Sequence, residues 1–259
     1  MAGLALSACT SAPRDAGFST ISDTITDRSG ITPAFVGETI PAEAARSRVD
    51  ALLARPLTEE SALEIAFLNN RAIAARLFEL KAARGRLIEE GRPPNPFISG
   101  LVIDVQGEPA TNYVASLGVD LLDLLFLPQR LRAAKAEFGA AQLRASAELV
   151  DFIADVRASF YEAIAARQLM ELNEQAAKAT RASALAASAL FEAGNIAEID
   201  LHREELLAAE TELELRRARS AYLSQRERLA VALGLAVSDE PVLSLDGRLG
   251  PPPAEALDT

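Results

Sequence analysis

His202 is the only histidine in the chain, and it lies four residues after Glu198 and two after Asp200. An imidazole beside carboxylates is the raw material of an acid–base pair or a metal site. Alone on one helix face, it reads rather as a partly exposed helical histidine. No histidine–carboxylate cluster has metal-ligand spacing, and no glycine-rich phosphate loop or nucleophile motif occurs. The sequence therefore gives no catalytic residue, cofactor or metal site, and an enzyme is the weakest of the classes considered.

Cys9, the only cysteine, excludes an intrachain disulfide. It ends Leu6-Ser7-Ala8-Cys9, an aliphatic residue and two small ones before a cysteine. That is the lipobox pattern, in which the chain is cleaved before the cysteine and the sulfur takes a lipid. Ala2, Leu4, Ala5 and Leu6 read as the end of a signal peptide's apolar core. The stretch before Cys9 lacks Lys and Arg and is short for a complete signal, so residues 1–9 read as the remainder of one. Thr10, not Asp, follows the cysteine, which directs a lipoprotein to the outer membrane by default.

The elements that position these residues are dominated by helix. From Gln129 to Glu240 there is no proline, and the only glycines are Gly139, Gly194 and Gly234. Ala, Leu, Glu and Arg fill the stretch, all strong helix formers. The spacing predicts helices over 128–193 and 197–233, joined by a turn at Gly194-Asn195-Ile196. The first would run roughly 100 Å at 1.5 Å per residue. On the second, Ile199, Leu206 and Leu213 recur by seven, the spacing of a coiled-coil seam. Leu131, Phe138, Leu149, Val156, Phe160, Ile164, Leu172 and Leu190 are the candidate apolar positions of the first. Another helix is predicted over 58–90, opened by the N-cap Thr58 with Glu59 and Glu60 at its positive end. It carries Leu63, Phe67, Ile73, Leu77, Leu80 and Leu87, and ends at Gly91 before Pro93-Pro94.

Between these helices the period changes to two. Leu101, Ile103 and Val105 alternate with polar or smaller residues, and so do Leu117, Val119 and Leu121. The turn residues Gly107 to Asn112 separate the two runs, so a hairpin is expected over 97–121. We expect both greasy sets on one face, toward lipid, with a wet or small face behind. A hairpin half-buried on a soluble domain reads equally well. No apolar run approaches the roughly 18 residues of a membrane-spanning helix. The nearest, Leu121 to Leu127, is short and carries Asp123. Entry into a membrane would be by lipid or by strands. Residues 10–56 are rich in Ser, Thr, Asp and Pro and are expected as an extended arm, and 236–259 as an extended tail. The net charge of −11 argues against nucleic acid, whose phosphates call for a basic face.

In order, the chain reads lipobox, arm, helix, hairpin, long helix, glycine turn, long helix. This resembles the TolC family of outer membrane efflux proteins. Leu57-Thr58-Glu59-Glu60-Ser61-Ala62-Leu63 resembles the family's opening "LTLEEAL". Pro93-Pro94-Asn95-Pro96 resembles "LPNP". Asp155 to Tyr161 resembles "dVraayy", and Glu192 to Leu201 resembles the tip, "aGliailDvl". The resemblance covers residues 57–235 and implies a mainly α fold, a long antiparallel helical hairpin or coiled coil with one amphipathic β-hairpin. That is half of a TolC-like α/β-barrel protomer, since the family has two tandem repeats and this chain carries one.

The resemblance further implies an outer membrane channel of a Gram-negative bacterium, lipid-anchored, with its helices in the periplasm. Such a channel passes small molecules or metal ions outward. Its partners would be a periplasmic adaptor and an inner-membrane pump, of the resistance-nodulation-division type by the "PNP" entry. Gly194, Asn195 and Ile196 match the adaptor-contact tip, and Asp200 matches an aspartate lining the closed aperture. The family forms trimers. With two strands per chain, six copies or a partner supplying the second repeat are expected instead. Two other readings stay open: a periplasmic adaptor (membrane fusion protein), and a lipid-anchored coiled-coil structural protein.

Overall fold

A computed structural model describes Asp15 and residues 17–36, 40–103, 112–235 and 243–250. It contains α1 (Phe18–Ser29), α2 (Ala42–Leu53), α3 (Glu59–Asn69), α4 (Arg71–Glu90), β1 (Phe97–Ile103), β2 (Asn112–Gly118), α5 (Leu121–Glu192) and α6 (Glu198–Ala232). The chain divides into two compact units. One holds α1, most of α4, the strands and the first part of α5. The other holds α2, α3, the remainder of α5, α6 and residues 243–250.

In the first unit, α1 stands where an extended arm was expected. Phe18, Ile21 and Ile25 are buried at helical spacing. The hydroxyls of Thr24, Thr26 and Ser29 hide this period, because each bonds back to the carbonyl four residues earlier. The Asp15 carboxylate accepts from the amides of Gly17 and Ser19 at 3.1 and 3.0 Å. The bonds from Ser19 hold that carboxyl below its ordinary pKa. Lys81 Nζ lies 5.7 Å from the Phe18 ring centroid and 5.3 Å from that of Phe78. Helix α4 buries Leu77, Leu80, Ala83 and Leu87, and the early part of α5 buries Ala134, Phe138 and Ala145. Arg76 bridges from α4 to Glu148 at 3.0 Å.

Helix α5 starts at Leu121, ahead of the expected Pro128. The physical reason is Asp120, whose Oδ1 accepts from the amides of Leu122 and Asp123 at 3.0 and 3.1 Å. A carboxylate at an N-cap satisfies orphan donors of the first turn and meets the positive helix end. Pro128 consequently sits inside the helix.

The second unit is built around α3. Thr58 and Ser61 form a reciprocal cap, and Ala62, Leu63 and Ile65 to Leu68 are buried. Phe67 packs edge-on against Phe35 and Phe152, with centroids 6.3 and 6.1 Å apart. Helix α2 occupies residues 42–53 of the expected arm and buries Ala45 and Val49. Arg48 joins it to α3 through a two-pronged bond to Glu64, at 2.6 and 3.0 Å.

The single helix expected over 58–90 is broken at Asn70, whose φ of −77° and ψ of 117° are extended. Its side chain explains the break. Oδ1 accepts from the Ala72 amide at 2.8 Å, opening α4, while Nδ2 donates to the Ala232 carbonyl at 2.9 Å. Asn69 Nδ2 donates to the Leu233 and Gly234 carbonyls. Two asparagines thus close the C-terminal end of α6. The described part of the expected tail is pinned too. Leu57 and Leu245 form a parallel bridge, and the Arg167 guanidinium donates to the carbonyls of Leu245 and Gly247.

Candidate functional site

The turn between α5 and α6 follows from one residue. Gly194 has φ +73°, a conformation that costs an L residue about 1–2 kcal/mol. Its amide donates to Phe191 O and that of Asn195 to Leu190 O, both at 2.8 Å. These paired bonds form a Schellman cap that satisfies the last carbonyls of α5. A Cβ built on Gly194 would meet nothing within 4 Å. Gly194 and Asn195 are exposed, and Ile196 is half-buried. Ile196 lines a hollow of about 380 Å³ with Leu190, Ala187, Asp200 and Arg203.

Asp200 is exposed in the first turn of α6, and its Oδ1 is 3.4 Å from Arg203 Nη1. His202 Nδ1 is 3.0 Å from Glu205 Oε2, and its Nε2 is 3.6 Å from Glu198 Oε1. The bond to Glu205 comes first in raising the imidazole above its ordinary pKa; desolvation opposes it, and the charges of Glu205 and Glu198 add to the rise. The carboxylates facing it are therefore Glu198 and Glu205. Among the described residues, no group of three or more His, Cys, Asp or Glu could hold a metal ion.

Helices α5 and α6 are joined by a polar ladder. Thr180 and Thr211 share a hydroxyl–hydroxyl bond of 2.6 Å, Arg181 donates to Glu212 at 2.6 Å, and Ser183 donates to Glu204 at 2.7 Å. The covered row of α6 includes Leu201, Leu215 and Leu229, spaced in multiples of seven. The expected seam of Ile199, Leu206 and Leu213 is instead exposed, at 59, 60 and 49%. The heptad period is present, but the row Leu201, Leu215 and Leu229 is the covered one, and the row Ile199, Leu206 and Leu213 is exposed.

The strands correct the expected facing of the hairpin. They pair antiparallel with Phe97↔Gly118, Ser99↔Ser116 and Leu101↔Val114 in register. Directly paired residues share a face. Odd positions of β1 therefore lie with even positions of β2, and Leu101 and Leu117 are on opposite faces. A shared face would need a register shifted by one residue. The Ser99 and Ser116 hydroxyls meet at 2.6 Å, placing a polar pair on the Leu101 side. The other side presents Ile98 against Leu117 and Gly100 against Ala115, with Ile98 82% and Leu117 72% exposed. Val119 is exposed beyond β2, and Leu121 is the first residue of α5. Val105 and Cys9 lie outside the described residues, and Ile103 pairs with Asn112.

One cluster appears in the sequence only as two separate motifs. Glu59, from the opening helix segment, accepts from Arg157 Nε at 2.6 Å and from the Tyr161 hydroxyl. This bond pushes the Tyr161 pKa up. The sequence signal was the pair of motifs, but nothing in it showed that they meet.

The chain is similar to several known proteins. The chain is 29% identical over 181 residues to the cobalt-zinc-cadmium resistance protein CzcC of Cupriavidus metallidurans, covering 70% of this chain and 43% of that protein. A membrane protein from Pseudomonas aeruginosa superposes with a TM-score of 0.55 at 17% identity, over 79% of this chain and 49% of that one. CusC, described in connection with folding and transmembrane channel formation, superposes with a TM-score of 0.55 at 16% identity, over 79% and 46%. This chain spans less than half the length of each. The family model described as outer membrane efflux protein matches residues 62–235, and with that span, two-thirds of the sequence, the chain belongs to the outer membrane efflux protein family.

Proposed function

We propose that this chain is the outer membrane channel component of a tripartite efflux system, passing small molecules or metal ions from the periplasm outward. The observation that carries the reading is the α5–α6 hairpin, closed by a glycine turn with open space around it. An exposed turn on paired helices is a surface a partner's helical hairpin can meet end to end. The metal-resistance name of the CzcC relative favours divalent cations among the cargoes. The adaptor reading is weaker, because the strand hairpin precedes the long helices here and α4 precedes the strands.

In this reading Gly194, Asn195 and Ile196 contact the adaptor, and Asp200 lines the aperture. Cys9 carries the lipid. The hairpin enters the outer membrane with the Ile98–Leu117 side toward lipid and the Ser99–Ser116 side toward water. Three copies of a two-stranded hairpin supply six strands, below the eight of the smallest bacterial barrels, whereas six copies supply twelve. More copies, or a second repeat, are required to close a wall, because lipid leaves no edge strand unpaired.

A photocrosslinker at Asn195 or Ile196, with adaptor and pump co-expressed, tests the docking surface. Adducts to the adaptor are expected at both. Adducts that form only from the strand region, with none at the turn, reverse the orientation. Palmitate labelling behind a complete signal tests the anchor: label is expected in the natural chain and not in Cys9→Ser, and equal label in both removes it.

A further inference from the structure

The first two turns of α5 are difficult to reconcile with water. Leu121, Leu122, Leu124, Leu125 and Phe126 are exposed at 73, 68, 47, 69 and 49%. At 3.6 residues per turn they sweep about 200° of the helix circumference. A helix packed on one neighbour shows a narrower apolar stripe, of about 100°. The remaining side carries Asp123, 3.8 Å from Arg130, and the half-buried Leu127. The apolar surface continues into the strand pair, where Ile98 and Leu117, paired on one face, are also exposed. It ends sharply at Pro128. The next turns bring Arg130, Arg132 and Lys135, in a chain whose net charge is −11.

We propose that the segment Leu121–Leu127 is sunk in the bilayer as a short helical collar continuing the strand hairpin, with Arg130, Arg132 and Lys135 at the lipid phosphates. The proposal rests on the membrane reading of the hairpin. Among the described residues no helix is long and apolar enough to cross a membrane, and seven residues of helix rise only about 10 Å. The collar therefore dips into one leaflet. Acyl chains are the occupant that fits, because they surround a helix on every free side, whereas a protein partner covers one stripe. Basic residues one or two turns beyond the apolar segment suit the phosphate layer, where long cationic side chains reach the interface. The N-cap carboxylate of Asp120 meets the amides of Leu122 and Asp123, so those donors of the first turn enter already satisfied.

The chain has no tryptophan, so single substitutions report their own surroundings. Leu122→Trp and Leu124→Trp lie about 160° apart on the helix. Both are made in the full chain and reconstituted into phosphatidylethanolamine–phosphatidylglycerol vesicles containing lipid brominated near the carboxyl end of its acyl chains. Leu117→Trp and Ala140→Trp are measured in parallel. Blue-shifted emission is expected at both collar sites, with quenching by brominated lipid several-fold stronger than by acrylamide, and the reverse at Ala140→Trp. Acrylamide quenching without lipid quenching at either collar site overturns the proposal. So does insensitivity to both quenchers at either site, which assigns that side to a protein neighbour. Lipid quenching at Leu117→Trp together with a wet collar defeats the collar and leaves the hairpin reading standing. Lipid quenching at the collar without it at Leu117→Trp defeats the hairpin reading and, with it, the collar as a continuation of the hairpin.

Discussion

Gly194 and Gly234 adopt the same backbone and carry opposite burdens. Both have φ +73°. Both close a helix with the same paired bonds, for Gly234 from its own amide to Val231 O and from Leu235 to Ala230 O, each at 2.9 Å. A Cβ on Gly194 would meet nothing within 4 Å, whereas one on Gly234 would lie 2.8 Å from Asn69 O and from Asn70 Cα. Gly234 is therefore glycine for two reasons, conformation and close approach of another backbone. Gly194 is glycine for one. The difference separates a turn that the chain uses internally from a turn that it leaves accessible.

The sharpest way to break this contrast is to add a methyl group at each turn. For Gly234→Ala, the left-handed conformation costs about 1–2 kcal/mol, and overpacking against backbone adds about 1–3. We expect urea unfolding of the second unit to show a loss of about 3 kcal/mol. Gly194→Ala should lose only the conformational part, about 1 kcal/mol, and Gly194→Asn less, since Asn tolerates this region. Equal losses at 194 and 234 would mean that something packs on the outer turn within the folded chain, and the proposed docking surface would then be occupied.

Next in size is the partner of the packed turn. Asn70→Ala removes the bond to Ala232 O and the one that opens α4 at Ala72. Loss of a cap costs about 0.5–2 kcal/mol, and a carbonyl left unpaired adds to it. We expect a loss of about 2 kcal/mol by the same measurement. Asn195→Ala, at the open turn, should be close to neutral, because among the described residues no hydrogen bond of its side chain joins it to another element. A similar loss at both asparagines would erase the distinction between the turns.

How far these regions could be read from sequence follows the same division. The long helices, the glycine break and the strand hairpin are legible because composition and period are local. Leu63, Phe67, Ile73, Leu77, Leu80 and Leu87 are all buried as expected. What was hidden depends on distant partners. The break at Asn70 involves the Ala232 carbonyl, 162 residues away, and the tail is held by Leu57 and Arg167. The hairpin's two periods were visible, but their relative parity is a property of the register. The seven-residue row on α6 was visible too, but a single helix does not say which of two parallel rows faces its neighbour. At the turn, the openness around Gly194 is a structural finding with no counterpart in the sequence.

The smallest effect concerns the start of α6, where a charge change tests how firmly the open turn is held. His202 lies within hydrogen-bond reach of Glu205 and near Glu198. Its bond to Glu205, with the charge of both carboxylates, raises its pKa above the unfolded value. The positive helix end opposes a cation in this first part of α6, but the two carboxylates prevail in the direction of the shift. A raised folded pKa means that the charged form stabilises the fold. That contribution is fully present below the unfolded pKa near 6.5 and is lost as pH rises through the higher folded value. Amide exchange in the first turns of α6, corrected for its intrinsic pH dependence, should therefore show more protection at the acid end of this window. His202→Gln should flatten the dependence while leaving protection at Asn69 and Asn70 unchanged. Flattening at both places would couple the open turn to the packed one; a dependence that survives in His202→Gln would place the titrating group elsewhere.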